Sequence, residues 1–468
     1  MKKIAFLFSL LVFCNGFAQC WETIDASRDH SVGIKEDGTL WAWGRNNYGQ
    51  LGDGTTADKS TPTQIGTDNH WISVKVGTGR TMALKSDGTI WGCGRNNFGQ
   101  IGDGNFGVNL ISTLMVQAGS DSDWTQLSVG TDYTFGIKSD GSLWGWGKGN
   151  NLGIDNDIEE YHVPARIGTA NDWESVAAGD YGTLAIKTDH SLWAWGTENG
   201  GELGVNTNFH YFETPVQSGN NTYDWLKVSK GEISNSLMIK TDGSLWSMGN
   251  NVNGNVGNGG PPTEQVPAAI QIAPGPGWVE ISSGSYHSAA IKSDGSMWTW
   301  GINSYGQIGD GTTTNRNIPT PVISSNSWGK VATGSGFTLG LPLQPTLHAW
   351  GWNGYGNLGN GTLDANALPL QVGNVCTLSV ENFESDPVGR LYPNPVSGEA
   401  VFHYFTKESQ TNTIQIFNAL GQQLFKKDSQ GLAGENREVI DFESYAPGVY
   451  FICLKSGQYH TTTKVTKH

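Results

Sequence analysis

Cysteine is scarce in this chain, five residues in 468, which excludes a disulfide-dense miniature fold. Positive charge is scarce as well: 28 Lys and Arg stand against 43 Asp and Glu, for a formal net charge of −15. No basic run stands out, so no nucleic-acid partner is expected on electrostatic grounds, and the acidity serves solubility. Long apolar runs are missing beyond the first residues. No later segment is apolar enough to span a bilayer, and the run Ile4 to Phe13 is too short to do so. The usual chemical signatures are missing too. There is no G-x4-G-K-[ST] phosphate loop, no H-E-x-x-H and no G-x-S-x-G. No cofactor, metal or catalytic residue is therefore assigned. "GDGT" at 52–55 and 309–312 lacks the ligand spacing of a calcium loop and reads as turn-forming.

Glycine is abundant: 65 residues, roughly twice the usual share and without a collagen period. That suits many short strands and tight turns. The reason is a repeat. "DGTLWAWGRNNYGQLGDGT" at residues 37–55 recurs, edited, from Asp87, Asp140, Asp189, Asp242, Asp294 and Gln344. The glycine closing each W-x-W-G is Gly44, Gly94, Gly147, Gly196, Gly249, Gly301 or Gly351. A fixed period near 50 residues signals a solenoid, a propeller or an array.

Each repeat opens on a Trp and an alternating stretch, as in "WISVKVGTGRTMALKSDG". Alternation at period two predicts half-buried strands. The Asp-Gly pairs 37–38, 87–88, 140–141, 242–243 and 294–295 predict two-residue hairpin turns with both residues at positive φ. Asp189-His190 and Gln344-Pro345 depart from that pattern. A last strand is expected near "TPTQIG" (61–66) and "IPTPVIS" (318–324), giving about four strands per period. Such a sheet cannot hide both faces alone, and radial packing against its neighbours solves the problem. Of the 19 Trp, seven open the repeats and eleven lie in W-x-W positions; Trp352 alone falls outside. Eighteen thus have a packing role without a Trp-lined sugar site.

The period, with "DGTLWAWG" followed by "NNYGQLGDGT", resembles the repeat of the regulator-of-chromosome-condensation family. The resemblance covers roughly residues 20 to 376. It implies an all-β, seven-bladed β-propeller. The seventh copy is the poorest, with His348 in place of a Trp and "GLPLQP" in place of Lys-x-Asp-Gly.

One position in each blade is framed by a nearly fixed scaffold and followed always by Ser or Thr. Its occupants are His30, Arg80, Tyr133, Gly182, Asn235, His287 and Phe337. The loops leading to it vary: "SRDH", "GTGR", "GTDY", "GDYG", "GEIS", "GSYH" and "GSGF". We expect those loops to ring one face near the channel. His30, Arg80, Tyr133, Tyr181, Tyr286 and Phe337 are the candidate binding residues, of the aromatic and Arg types that anchor interfaces. A second ring, with Tyr48, Phe98, Tyr305, Trp352 and Tyr355, reads as packing because it repeats.

Residues 1–18 read as a signal peptide: Lys2 and Lys3, an apolar stretch, then Gly16-Phe17-Ala18 as cleavage site. Cys14 leaves with it. Cys93 replaces a Trp and is expected as a buried filler, and Cys453 sits in the apolar strand "YFICL". Pro62 precedes Trp71 by nine residues; the same spacing from Pro369 puts Cys376 and Cys20 side by side at the ring's seam. A Cys20–Cys376 disulfide is expected there, as an exported protein can keep it.

After Cys376 the texture changes. Residues 377–390 read as an acidic linker. Residues 391–468 read as a small β-sandwich of alternating strands. "YPNPV", "IFNALGQ", "APGVYFI" and a basic tail together resemble the C-terminal sorting domain (type A) of the type IX, or Por, secretion system. That resemblance implies a Bacteroidota-like host and export through the periplasm, with this domain engaging the secretion machinery. The cargo is then secreted or held on the outer surface.

Three functions fit. The first is a propeller face that grips an extracellular protein or glycan, with no enzymatic activity. The second is a polysaccharide-acting enzyme with its site in the channel, which a pair of carboxylates across the channel would favour. The third is the exchange of guanine nucleotides that the family resemblance implies; the export signal and acidic charge argue against it.

Overall fold

The computed structural model describes Cys20–Gly373 and Gly389–Lys467, apart from 155–157, 199, 206–210, 220–221, 234, 262–264, 344–345, 407, 419–422 and 457–458. The chain divides into two compact units. One is Gln19–Cys376, and the other contains Thr377–His468.

The first unit is seven four-stranded antiparallel sheets, each in simple sequence order. In the first sheet these are β1 (Trp21–Ser27), β2 (His30–Lys35), β3 (Leu40–Gly44) and β4 (Lys59–Gln64). The pattern repeats up to β28 (Asn366–Gln371). The first strand of each sheet packs on the first strands of its two neighbours, and Trp328–Thr333 of the seventh packs on β1. The ring is therefore closed, and the sheets are the blades of a seven-bladed propeller with the first strands innermost.

The repeated residues explain themselves in this frame. The second Trp of W-x-W lies between blades. Trp43 donates its indole N–H to Asn357 O at 2.9 Å, Trp300 to Asn255 O at 3.0 Å and Trp350 to Gln307 O at 2.9 Å. The glycine of each Leu-Gly, Ile-Gly or Val-Gly pair lies against the side chain at that position of the next blade, a Trp in five blades. A Cβ on Gly102 would come within 2.7 Å of the Trp146 ring, and one on Gly359 within 2.8 Å of Trp43. In six blades the Ser or Thr near the start of the second strand also bonds backwards. Ser31, Thr81, Thr134, Ser236, Ser288 and Thr338 donate to the carbonyls of Asn357, Gln50, Gln100, Glu202, Asn255 and Gln307 in the preceding blade. In six blades the Lys before the turn lies between two Trp rings, as Lys35 does over Trp41 (3.5 Å) and Trp21 (5.3 Å). Each such contact is worth about 0.5–1 kcal/mol at a surface.

The turns differ from expectation. Gly38 N–H donates to Lys35 O and Lys35 N–H to Thr39 O. Only the glycine takes positive φ, +78° at Gly38. This is a type I turn with a glycine bulge, a three-residue loop rather than a two-residue one. Asp37 is not a left-handed residue. It accepts from the Thr39 N–H and hydroxyl, and Thr39 in turn accepts from the Trp41 indole. In the fourth blade His190 takes the glycine's place at φ +63°.

Cys93 is buried with its thiol pushed up to about 12 by burial. Cys93 and Cys453 are free thiols among the described residues, and Cys20 is buried. Cys376 lies outside the described residues, as do residues 1–18 and all of the linker but Gly389 and Arg390.

In the second unit β29 (Gly389–Tyr392) begins inside the stretch read as linker. It forms a three-stranded sheet with β30 (Glu399–Thr406) and β33 (Gly434–Asp441). The other sheet has the order β32 (Gln423–Gly431), β31 (Gln410–Asn418), β34 (Gly448–Ser456), β35 (Tyr459–Lys467). Both sheets contribute to one core, including Phe402, Ile416, Phe442, Ile452 and Val465. This is the expected sandwich.

Candidate functional site

In an antiparallel meander, the loops joining strands one to two and three to four leave each blade at the same end. The propeller therefore has one face built from both loop sets. The first set lies inside, near the axis, and the second outside.

The inner loops converge. Their second residues are Arg28, Thr78, Thr131, Asp180, Glu232, Ser285 and Ser335 in blades one to seven. Arg28 donates to Asp180 at 2.8 Å and lies 3.5 Å from Glu232. Glu232 accepts from the Ser27 hydroxyl at 2.6 Å, from the Arg28 N–H at 3.2 Å and from the Ser285 hydroxyl. Asp180 accepts from the Thr131 hydroxyl, and Asp180 N–H donates to Glu232 O at 2.8 Å. Thr78 and Thr131 share a hydrogen bond of 3.3 Å. Six blades are thus tied together over the channel mouth.

Burial, reinforced by the charge of Asp180, raises the Glu232 carboxyl above the usual range, against the pull of Ser27, Ser285 and Arg28. A small cleft lies there, lined by Thr78, Thr131, Asp180, Glu232 and the ends of three inner strands. It falls below the roughly 300–1,000 Å³ of small-molecule sites. The chemistry available is an Arg held between two carboxylates. Sequence reasoning missed this cluster because it followed the fourth residue of each inner loop rather than the second. The signal was present: at the second position charge appears in only three blades.

That fourth position is a packing position. His30, Arg80, Tyr133 and Phe337 are at most 1% exposed, so they are not surface anchors. Each faces the next blade. The His30 Nε2 lies 3.1 Å from the Thr81 hydroxyl. Arg80 donates to the carbonyls of Gly130, Thr131 and Tyr133 at 2.9–3.1 Å, and Tyr133 donates to Gly179 O at 2.8 Å. Phe337 packs in the apolar cluster that holds Trp43. Burial lowers the imidazoles of His30 and His287 to about 3. Tyr181 and Tyr286, at the third loop position, are 49% and 42% exposed and are the two candidates that do face solvent.

The outer loops are organised by an Asn. Asn46 donates its amide to Asp53, Thr55 O and Ala57 O and accepts from Leu51 N–H. Asp53 is occupied by Thr55, Asn46 and Lys59, so "GDGT" is a turn, as expected. The second ring is more open than expected. Tyr48 and Tyr305 are 37% and 50% exposed, and Trp352 and Tyr355 are half-buried. Trp352 lies 6.4 Å from Tyr305 and 5.3 Å from Tyr355, ring to ring.

Comparison with known proteins agrees with this architecture. A profile of the regulator of chromosome condensation (RCC1) repeat matches residues 37–84, 140–186, 242–291 and 294–341. A second profile of that repeat matches 21–50, 71–100 and 278–307. The profile of the secretion system C-terminal sorting domain matches 390–468. The chain is 27% identical over 307 residues to the ultraviolet-B receptor UVR8 of Arabidopsis thaliana, covering 64% of this chain and 69% of that one. It is 35% identical over 95 residues to the RCC2 homolog of Xenopus laevis, spanning 20% of this chain but only 18% of that one. Among solved structures, Prp20p of Saccharomyces cerevisiae, described with its binding to Gsp1p and histones, superposes with a TM-score of 0.66 at 19% identity, over 77% of this chain and 89% of its own. Human WBSCR16 gives 0.63 at 20% identity, over 69% and 87%. At these identities the structural likeness speaks for the fold.

Proposed function

We propose that this chain, which carries RCC1 repeats and ends in a secretion sorting domain, is an exported propeller that binds a protein or glycan through the face built by the inner and outer loops. The sorting domain supports export by the type IX route, to the surface or beyond it. Among the described residues no helix is long and apolar enough to cross a membrane. The observation that carries the reading is the contrast between scaffold and loops. Trp, Lys, Gly and Ser/Thr positions are taken up by packing within and between blades, while the half-exposed rings of Tyr181, Tyr286, Tyr48 and Tyr305 lie on the face where the loops vary. Rigid aromatics lose little entropy on binding and dominate interface energetics.

The test is capture on the immobilised full mature chain, offering proteins and glycans from the organism's surroundings. The reading expects a ligand that is lost when Tyr181, Tyr286 and Tyr305 are changed to Ala together. A ligand that survives those changes would move the site off this face.

A second reading, hydrolysis of polysaccharide at the channel mouth, draws on the meeting of Asp180 and Glu232. Arg28 and three hydroxyls already occupy those carboxylates, which favours a closing role. Glycan cleavage that is lost in Glu232→Gln with the fold intact would reverse that preference. Binding to a Gsp1p-like or histone-like partner, which Prp20p suggests, fits poorly with a sorting domain.

A further inference from the structure

Aromatic residues are unevenly distributed around the outer loops. The residue two places after the organising Asn is Tyr305, Tyr355, Tyr48 and Phe98 in blades six, seven, one and two. These blades are consecutive around the ring. The same position is Gly200 in blade four and Asn253 in blade five, and the shorter loop of blade three, Lys148–Leu152, has no aromatic. Those three blades close without the ring, so packing alone does not require it. The result is an aromatic crescent on one side of the loop face.

Its centre is Trp352, the one Trp outside the interblade pattern. The indole covers the backbone of Gly354, where a Cβ would come within 2.5 Å of it. Its N–H finds no acceptor among the described residues, and, unlike the partnerless indoles of Trp146 and Trp195, it is not buried. Tyr305 and Tyr48 likewise lie over the inner-loop glycines Gly336 and Gly79 of the following blades. The rings meet at steep angles, 55° for Tyr305–Trp352 and 86° for Trp352–Tyr355, so they do not form a flat apolar patch. Exposed Asn47 and Ser304 border the crescent.

Charge decides what fits. Arg45 lies 4.6 Å over the Tyr355 ring, but its charge is matched by Asp29 at 2.8 Å. Arg95 is matched by Asp132 at 3.6 Å. With its two arginines paired, the crescent's remaining cation is Lys148, 5.3 Å over the Phe98 ring at its blade-two end, so the Tyr305–Trp352–Tyr355 end has little to offer an anionic polymer. A sugar ring presents a flat C–H face and a hydroxyl edge, which suit exposed rings carrying an indole N–H and phenol hydroxyls.

We infer that the crescent Tyr305–Trp352–Tyr355–Tyr48–Phe98 holds a neutral polysaccharide. This rests on the binding-face reading above and names its ligand class. The test is affinity electrophoresis of the full mature chain in gels containing a soluble β-glucan, a xylan or a mannan, with polygalacturonate as the charged comparison. At least one neutral polymer should retard the chain. Trp352→Ala and Tyr305→Ala should each weaken retention about tenfold, or roughly 1.4 kcal/mol, and Trp352→Phe should recover most of it. A thermal melt of each variant separates lost binding from lost fold. Retardation by polygalacturonate alone, by no polymer, or equally in Trp352→Ala and Tyr305→Ala would overturn the inference. If no glycan binds but a protein ligand is captured and lost on changing Tyr181 and Tyr286, the glycan assignment fails and the binding face stands. If neither is found, both fail.

Discussion

Arg28, in the first blade, reaches over the channel mouth to Asp180 in the fourth, at 2.8 Å. The two are 152 residues apart in sequence. Nothing in a repeat predicts such a contact, since away from this cluster, where Ser27 and Arg28 also reach Glu232 of the fifth blade, the blades pack on their neighbours. The bridge ties non-adjacent blades and so adds cooperativity that a nearest-neighbour array lacks.

Replacing Arg28 by Met keeps the stem and removes the charge. Asp180, whose side chain is 5% exposed, then loses its cation. Breaking a fully buried pair costs about 3–5 kcal/mol. The Arg28 side chain is 41% exposed, so solvent screens part of this, and about 1–2 kcal/mol is expected. Urea unfolding should show a lower midpoint. An unchanged midpoint would mean the bridge forms without stabilising the ring.

His30 and His287 make stability depend on pH. Their folded values lie at about 3, against 6.5 for the free side chain. Below 6.5 the unfolded chain takes up protons that the folded chain refuses, so stability falls as pH falls towards 3. At pH 5.5 each should cost about 1.4 kcal/mol. Asp25 and Glu232, raised by burial, act with the opposite sign, their contribution improving as pH falls. Subtracting the curve of a His30→Gln, His287→Gln double variant from that of the parent isolates the imidazoles. A difference that stays constant from pH 7.5 to 5.5 would contradict their burial as neutral groups.

The seam at Cys20 and Cys376 is tested by counting thiols. Denatured without reductant, the mature chain should label at two cysteines, Cys93 and Cys453, if the seam is closed, and at four if it is open. Chain-entropy arguments give roughly 6 kcal/mol as an upper figure for a loop this long. A Cys20→Ser, Cys376→Ser variant should therefore melt well below the parent. Four labelled thiols would remove the seam disulfide.

The blade count, the strand count and the role of nearly every Trp were legible because each is stated seven times, and errors in one copy are corrected by the others. What a repeat cannot state is what its copies do together. Arg28, Asp180 and Glu232 each occur once, at a position that is Thr or Ser elsewhere. Their meeting follows from ring closure, which brings residues of distant blades to one axis. The depth of His30, Arg80, Tyr133 and Phe337 was misread for a related reason. Variation from blade to blade looks like freedom at a surface. Here it is variation in how one blade fills the gap to the next: imidazole to hydroxyl, guanidinium to three carbonyls, phenol to one carbonyl, or a plain apolar ring.

The same comparison shows a coupling inside the blades. Where the second W-x-W position is Trp (43, 146, 195, 300 and 350), one register position of the outermost strand is Pro (62, 164, 215, 319 and 369). Where it is Cys93 or Met248, that position is Met115 or Ala269. The geometry gives the reason. A Cβ on Gly359 would touch both Trp43 and Pro62, and one on Gly52 would meet Cys93 at 3.0 Å and Met115 at 3.5 Å. Met115 thus fills space that the Trp takes elsewhere. Cys93→Trp alone should overpack the site and cost about 1–3 kcal/mol. Met115→Pro alone should leave a void beside Cys93 and cost a similar amount, about 2 kcal/mol. Together they rebuild the pair found in five blades, so the double variant should be more stable than either single one, with a coupling of about 1–3 kcal/mol in a double-mutant cycle. Additive losses would mean that the two positions vary independently and that Met115 does not occupy the missing ring's space.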